Sequence, residues 1–320
     1  MVHPNAGSAQ GSASAHPNGH LVLIGPTASG KSALALEVAR RRPGVELVSM
    51  DSMALYRGMD IGTATPGAGK RAEVPHHLLD VADPSEEYTV STFQAAARAA
   101  LEDITGRGCR AVLVGGTGLH IRSVVDDLEI PGRYGDVRVE LEAEPDTLLL
   151  HRRLSDSDPV AAGRMEPTNR RRVLRALEVT LGAGRPFSSF GPGLDRYPET
   201  SFTQVGLRLP HDLLDQRITE RFARMMDEGF LEEVVGLLAG SGGFSHTAAQ
   251  ALGYRELAAH LRGECTLDEA VEDAVAATRR FARRQERWFR RDPRITWLDV
   301  GEDPLAVLDD LLASFDTCAP

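Results

Sequence analysis

The chain has 320 residues, 42% of them hydrophobic, which supplies one large core or two smaller ones and excludes a disordered chain or a small disulfide-stapled scaffold. Apolar runs stop at five or six residues, as at 21–25 and 111–115, against the ~20 needed to cross a bilayer, so no membrane partner is expected. A formal net charge of −10 opposes nucleic acid over the surface as a whole, and any polyanion must be met by a local basic cluster.

Residues 1–19 are rich in Gly, Ser, Ala, Asn and His, lack the basic start and apolar stretch of a secretory signal, and read as a disordered leader. Short apolar runs at 20–24, 45–50 and 111–115 have the form of buried parallel strands, separated by helical spacing at 32–41 and 90–104. This alternation predicts an α/β fold, a doubly wound parallel sheet flanked by helices. From 126 to 196 the sequence is charged and helix-forming without strand-like runs, and the strand pattern resumes at 204–209. Residues 126–196 therefore read as a helical insertion between two parts of one core, 20–125 and 197–300. Long helical patterns follow at 210–238, 247–262 and 267–291, then a strand at 295–298 and a terminal helix or tail over 301–320. Cys109, Cys265 and Cys318 fit neither a disulfide framework nor a metal pattern, which points to reduced thiols in a cytoplasmic protein.

The run Gly25-Pro26-Thr27-Ala28-Ser29-Gly30-Lys31-Ser32 matches G-x-x-x-x-G-K-[ST] after a strand and before a helix, the context that makes a phosphate-binding P-loop. Its glycines let backbone N–H groups and the helix N-terminus surround phosphate oxygens, Lys31 adds charge, and Ser32 can ligate Mg²⁺. The strand at 111–115 runs into Gly115-Gly116-Thr117-Gly118, where a nucleotide hydrolase usually has an aspartate. Here the acid, Asp51, follows a different strand. Strand ends of a parallel sheet converge on one edge, so Asp51 is a candidate general base or Mg²⁺ partner, against the plainer role of a turn aspartate. Thr117, at the same edge, is either a hydroxyl for a leaving oxygen or a turn threonine.

Within 210–238, Leu214, Ile218, Phe222 and Met226 form the expected buried stripe, while Arg217, Arg221 and Arg224 share a face at i, i+4 and i+7. Arg217 and Arg224 each have Glu220 within reach; Arg221 has no acid three or four positions away and would gain from a bound anion, a solvated polar face being the alternative. The last long helix carries Arg280, Arg284, Arg287 and Arg291 opposite Phe281 and Trp288, and the insertion gathers Arg164, Arg170, Arg171, Arg172 and Arg175. Two arginine-dense surfaces on an acidic chain point to a polyanion larger than a nucleotide, against ordinary exposed arginine at helix ends.

Further runs are Asp51-Ser52-Met53 with Tyr56-Arg57-Gly58-Met59-Asp60-Ile61-Gly62-Thr63-Ala64, Pro75-His76-His77-Leu78-Leu79-Asp80, Arg175-Ala176-Leu177-Glu178-Val179, Gln250-Ala251-Leu252-Gly253-Tyr254-Arg255-Glu256 and Thr278-Arg279-Arg280 with Arg284-Gln285. Together with the P-loop and Gly115-Gly116-Thr117-Gly118-Leu119, they resemble the tRNA dimethylallyltransferase family from residue 20 to about 299. The resemblance implies a P-loop NTPase-like core that transfers a dimethylallyl group from dimethylallyl diphosphate to N6 of the adenosine 3′ of the anticodon. Diphosphate, with Mg²⁺ as cofactor, would occupy Gly25, Pro26, Thr27, Ala28, Ser29, Gly30, Lys31 and Ser32. Asp51 would take the amine proton, and Lys31, Thr117 and an arginine, Arg217 before Arg221, would assist the departing diphosphate. Contacts to tRNA are implied at Asp51, Ser52, Met53, Ala54, Arg171, Arg172, Arg175, Gln250, Gly253, Tyr254, Arg255, Arg280, Arg283, Arg284 and Gln285. The insertion and the basic last helix would grip the anticodon arm, with a monomer as the default.

The chain departs from the family pattern at Thr65, where lysine is usual, at His120, where tyrosine is usual, at Arg171, where glutamine is usual, and in a shorter insertion near 132–151. Three other readings stay open: a P-loop small-molecule kinase in which Asp51 activates a hydroxyl, a prenyltransferase of free adenine nucleotides, and an RNA-binding protein that only senses a nucleotide.

Overall fold

The computed structural model describes residues 19–191, 193–240 and 242–318, so all but the last residue of the predicted leader lies outside them. Six strands form one all-parallel sheet: β1 (Leu21–Ile24), β2 (Val45–Ser49), β3 (His76–His77), β4 (Arg110–Gly115), β5 (Thr203–Arg208) and β6 (Thr296–Asp299). Their order is β3-β2-β4-β1-β5-β6. The four residues of β1 are fully buried because helices cover both faces of the sheet, and its side chains divide with period two: Val22 and Ile24 enter one apolar cluster, Leu21 and Leu23 the other.

Helices α1 (Lys31–Arg41), α2 (Ala68–Glu73), α3 (Val90–Gly106) and α4 (Gly118–Val125) lie between or after the first four strands. The middle block holds α5 (Gly135–Glu142), α6 (Thr147–Ser157), α7 (Pro159–Ala162) and α8 (Arg170–Ala183), with no strand among its described residues. Leu141, Leu150, Leu154, Val173 and Leu177 give these helices a buried cluster of their own. At its base, Arg122 and Arg294 both pair with Asp126, donate to the carbonyls of Leu194, Arg196 and Pro198, and lie over the Tyr197 ring.

After β5 come α9 (His211–Asp227), α10 (Phe230–Ala239), α11 (Tyr254–Leu261) and α12 (Leu267–Phe289), and after β6 comes α13 (Leu308–Asp316). The start of α12 is set by a capping box in which Glu269 N–H donates to Thr266 Oγ1 at 3.2 Å and Thr266 N–H to Glu269 Oε2 at 2.8 Å.

Three points differ from expectation. The strand β3 carries no apolar run to betray it; it pairs with β2 and adds a 2.6 Å contact between His77 Nε2 and Glu46 Oε2. Arg107 foremost, then His77, holds the Glu46 carboxyl down at about 2 despite desolvation. The helical stretches 210–238 and 247–262 each break, at Gly229 (φ 95°) and at Gly253 (φ 86°), left-handed conformations that favour glycine. A Cβ at Gly253 would lie 2.7 Å from the Phe230 ring, and these turns bring Phe230 and Tyr254 edge to face at 4.8 Å. The buried stripe of α9 ends on Met225 instead of Met226, since from Phe222 the three-residue step keeps the inward face. Within 301–320 the described part holds α13, whose Leu308, Leu311, Leu312 and Phe315 share a cluster with Leu34 and Val38 of α1.

Candidate active site

The loops that follow β1, β2 and β4 meet helices α9, α11 and α12 around an open cavity of about 470 Å³. The P-loop leaves β1 at Gly25, passes through Ala28 and Gly30 in left-handed conformations (φ 62° and 91°), and enters α1 at Lys31. Lys31 Nζ donates to the Pro26 carbonyl at 2.6 Å and to Ser29 Oγ at 3.4 Å. Desolvation, helped by the nearby Arg221 guanidinium and opposed by Asp51, pulls its ammonium down to about 7. Ser32 is exposed in the first turn of α1.

Asp51 follows β2 and lines the cavity. Its Oδ1 accepts from Met53 N–H at 2.8 Å and Ala54 N–H at 3.3 Å, the contacts of a turn aspartate. No hydrogen bond among the described residues engages Oδ2. Thr117 enters the cavity from the turn after β4, where its Oγ1 accepts from Ser52 N–H at 3.2 Å and donates to Ser52 Oγ at 3.3 Å. The strand ends thus set Lys31, Asp51 and Thr117 at one edge of the sheet, as a parallel sheet requires.

Of the two arginines weighed for the leaving group, Arg221 lines the cavity and Arg217 does not. Arg221 Nη1 donates to Thr27 Oγ1 and Nη2 to the Thr63 carbonyl, both at 3.3 Å, and among the described residues it has no carboxylate within ion-pair distance. Burial lowers its proton affinity while Asp51 opposes the shift. Arg217 Nη2 donates to the carbonyls of Gly301 and Glu302, each at 2.7 Å. The cavity thus holds the arginine that was expected second.

The residues assigned to tRNA separate into three groups. Ser52, Met53, Arg171, Gln250, Tyr254, Arg255 and Arg284 line the cavity; Arg284 lies 5.7 Å from the Phe281 ring centroid. Arg172 and Arg280 are exposed on α8 and α12. The others are engaged in the fold: Ala54 is buried, Gly253 forms the turn before α11, Arg175 ties Glu178 (2.7 Å) to the Pro131 carbonyl (2.8 Å), and Arg283 pairs with Asp215 at 2.7 Å. Gln285 is 7% exposed and turned toward the interior. Tyr254, although at the cavity wall, donates its hydroxyl to Glu233 Oε1 at 2.5 Å, and burial together with that bond pushes its phenol far up. His120 is buried in a stack on Phe93 at 4.1 Å, held down to about 4 by desolvation, and lines no part of the cavity.

Sequence reasoning missed the apolar side of the cavity. Ile218 and Phe222, read as core, line it beside Arg221 together with Met225, with Ala251, Leu252 and Phe281 completing an apolar wall. The signal was present, because the same turns of α9 carry the arginine.

A model of the IPP transferase family matches residues 54–292. The tRNA dimethylallyltransferase of Kineococcus radiotolerans is 50% identical over 301 residues, covering 90% of this chain and 94% of its own. That of a Nocardioides species is 47% identical over 287 residues, covering 89% and 92%. Among solved structures, the full-length tRNA isopentenylpyrophosphate transferase of Bacillus halodurans aligns with a TM-score of 0.68 at 35% identity, over 94% of this chain and 98% of that one. A eukaryotic dimethylallyltransferase captured acting on tRNA aligns with a TM-score of 0.76 at 24% identity, over 95% and 80%, a likeness of fold.

Proposed function

Because the chain belongs to the IPP transferase family, the tRNA dimethylallyltransferases, we infer that it transfers a dimethylallyl group to N6 of the adenosine 3′ of the anticodon in tRNA. The donor we assign is dimethylallyl diphosphate. The observation that carries this reading is that Arg221 and Asp51 line one cavity with an apolar wall, and that Arg221 and the neighbouring P-loop Lys31 have no carboxylate ion-pair partner among the described residues. Neighbouring unpaired cations are costly in a desolvated site, and a bound polyanion offsets that cost.

In this reading the P-loop and Lys31 hold the diphosphate, and Ile218, Phe222 and Met225 receive the hydrocarbon. As the allylic C–O bond breaks, negative charge grows on the diphosphate, where Lys31, Arg221 and the Thr117 hydroxyl stabilise it. The adenine amine attacks the freed carbon and Asp51 takes its proton, base catalysis worth on the order of 10²- to 10⁴-fold. The acceptor base must leave its stack to enter the cavity.

Among the described residues no cluster of three or more metal-ligating His, Cys, Asp or Glu side chains occurs. A Mg²⁺ ion held by one or two protein oxygens and the substrate's own phosphates needs none, and the Ser32 hydroxyl, exposed in the first turn of α1, is the protein oxygen that would hold it. When bound, it would neutralise diphosphate charge. No helix among the described residues is long and apolar enough to cross a membrane. We take the enzyme as a cytoplasmic monomer, with Cys109, Cys265 and Cys318 as free thiols.

Arg171, Arg255 and Arg284 at the cavity favour an RNA acceptor over a free nucleotide or a kinase substrate. Mass spectrometry of nucleosides after incubating unmodified tRNA with protein, dimethylallyl diphosphate and Mg²⁺ tests donor, acceptor and chemistry together. Prenylated adenosine is expected, and Asp51→Asn, which keeps an acceptor for Met53 N–H, should lose about 10²-fold or more in rate with tRNA binding intact. Equal rates on AMP, or ATP consumption without prenyl transfer, would overturn the reading.

A further inference from the structure

Gln285 is buried on the inner face of α12, yet its amide spends both ends on the active-site loops. Oε1 accepts from Thr27 N–H at 2.9 Å, in the P-loop, and Nε2 donates to the Gly116 carbonyl at 2.9 Å, in the turn that carries Thr117. Both partners belong to loops that enter the cavity. Thr27 reaches Arg221 through its hydroxyl, and Thr117 is tied to Ser52 beside Asp51. The fit has no slack: a Cβ on Gly116 would come within 2.2 Å of Gln285 Nε2, and one on Gly118 within 2.2 Å of Trp288 Nε1.

We propose that Gln285 is a positioning residue, a single buried amide that fixes the spacing between the P-loop and the turn that carries Thr117, itself tied to Ser52 beside Asp51. The inference rests on the assignment of the P-loop to diphosphate. One amide is suited to this because it is rigid and planar and offers an acceptor and a donor together, so the two loops cannot drift apart without leaving a buried polar group unpaired. The exposed side of α12 displays Arg280 and Arg287, with Arg284 at the cavity, so an RNA docked there rests on the same helix that braces the two loops.

The test measures single-turnover prenyl transfer at saturating tRNA and dimethylallyl diphosphate, together with tRNA affinity by filter binding. Gln285→Met removes both bonds at near-constant volume; Gln285→Glu keeps the acceptor for Thr27 N–H and loses the donor to Gly116. Gly116→Ala strikes the same contact from the opposite loop, so a Gln285 variant that fails to fold still leaves a measurement. The maximal rate should fall by roughly 10²-fold for Gln285→Met and by less for Gln285→Glu, with tRNA affinity within about twofold of wild type. A tRNA affinity that collapses while the saturating rate survives would make Gln285 an RNA contact and overturn the proposal. Rates unchanged in all variants of an active enzyme overturn the proposal alone, whereas an inactive wild type overturns the assigned function and the proposal with it.

Discussion

Replacing Arg221 by Gln removes a cation whose hydrogen-bond partners in the protein are neutral, Thr27 Oγ1 and the Thr63 carbonyl, each at 3.3 Å. Bonds this long contribute about 1 kcal/mol or less apiece, so the fold should lose on the order of 1 kcal/mol. The chemistry should lose more. Deleting one preorganised donor where negative charge develops costs about 10²- to 10³-fold in kcat. Arg217, one helical turn earlier, supplies the control: its guanidinium holds the carbonyls of Gly301 and Glu302 at 2.7 Å, and the adjacent Pro304 packs against Gly30. Arg217→Gln should keep kcat within a few-fold and lower stability by about 1–3 kcal/mol, because two well-paired carbonyls lose a charged donor. Single-turnover transfer at saturating substrates, paired with urea unfolding, separates the two variants. An Arg221→Gln enzyme with near-native kcat, or an equal kcat loss in a fully stable Arg217→Gln enzyme, would refute the placement of Arg221 at the leaving group.

The lowered Lys31 predicts a pH effect with a definite sign. Folded, the empty site releases the ammonium proton near 7, whereas the unfolded chain keeps it to its ordinary value of 10.5, so between those values this group makes the empty protein more stable as pH rises. Inorganic diphosphate should draw the proton back: calorimetry at pH 8 in buffers of different ionisation enthalpy should show net uptake, and no uptake would refute the role of desolvation. On the outer face of α12, Arg284→Glu with Arg287→Glu should weaken tRNA binding and reduce the slope of its salt dependence by roughly one unit per lost phosphate contact. Diphosphate affinity unchanged alongside would localise the effect to RNA, and an unaltered salt slope would mark this face as ordinary solvated helix.

Much of the molecule was legible in the chain. Strand β1 could be read because a central parallel strand is apolar at every position, and the P-loop because its function needs glycines, a lysine and a hydroxyl at fixed short spacing. Asp51 and Thr117 followed from topology, since parallel strands deliver their ends to one edge. Strand β3 escaped notice because two histidines held by a partner strand have no local signature. The breaks at Gly229 and Gly253 escaped because helical periodicity runs on across a turn that reverses the chain.

What local pattern determines is the set of groups available: a glycine-rich loop with a lysine and a hydroxyl, a carboxylate, a threonine and a surplus of arginine. It leaves undecided which of two similar side chains is spent on structure. Arg217 and Arg221 share a helical face, and they differ because 84 and 85 positions further on the chain returns Gly301 and Glu302 to one of them. Arg284 and Gln285 are neighbours in a basic motif, but successive residues of a helix point about 100° apart. One therefore faces the cavity, while the other is carried into the interior to meet Thr27, 258 positions away.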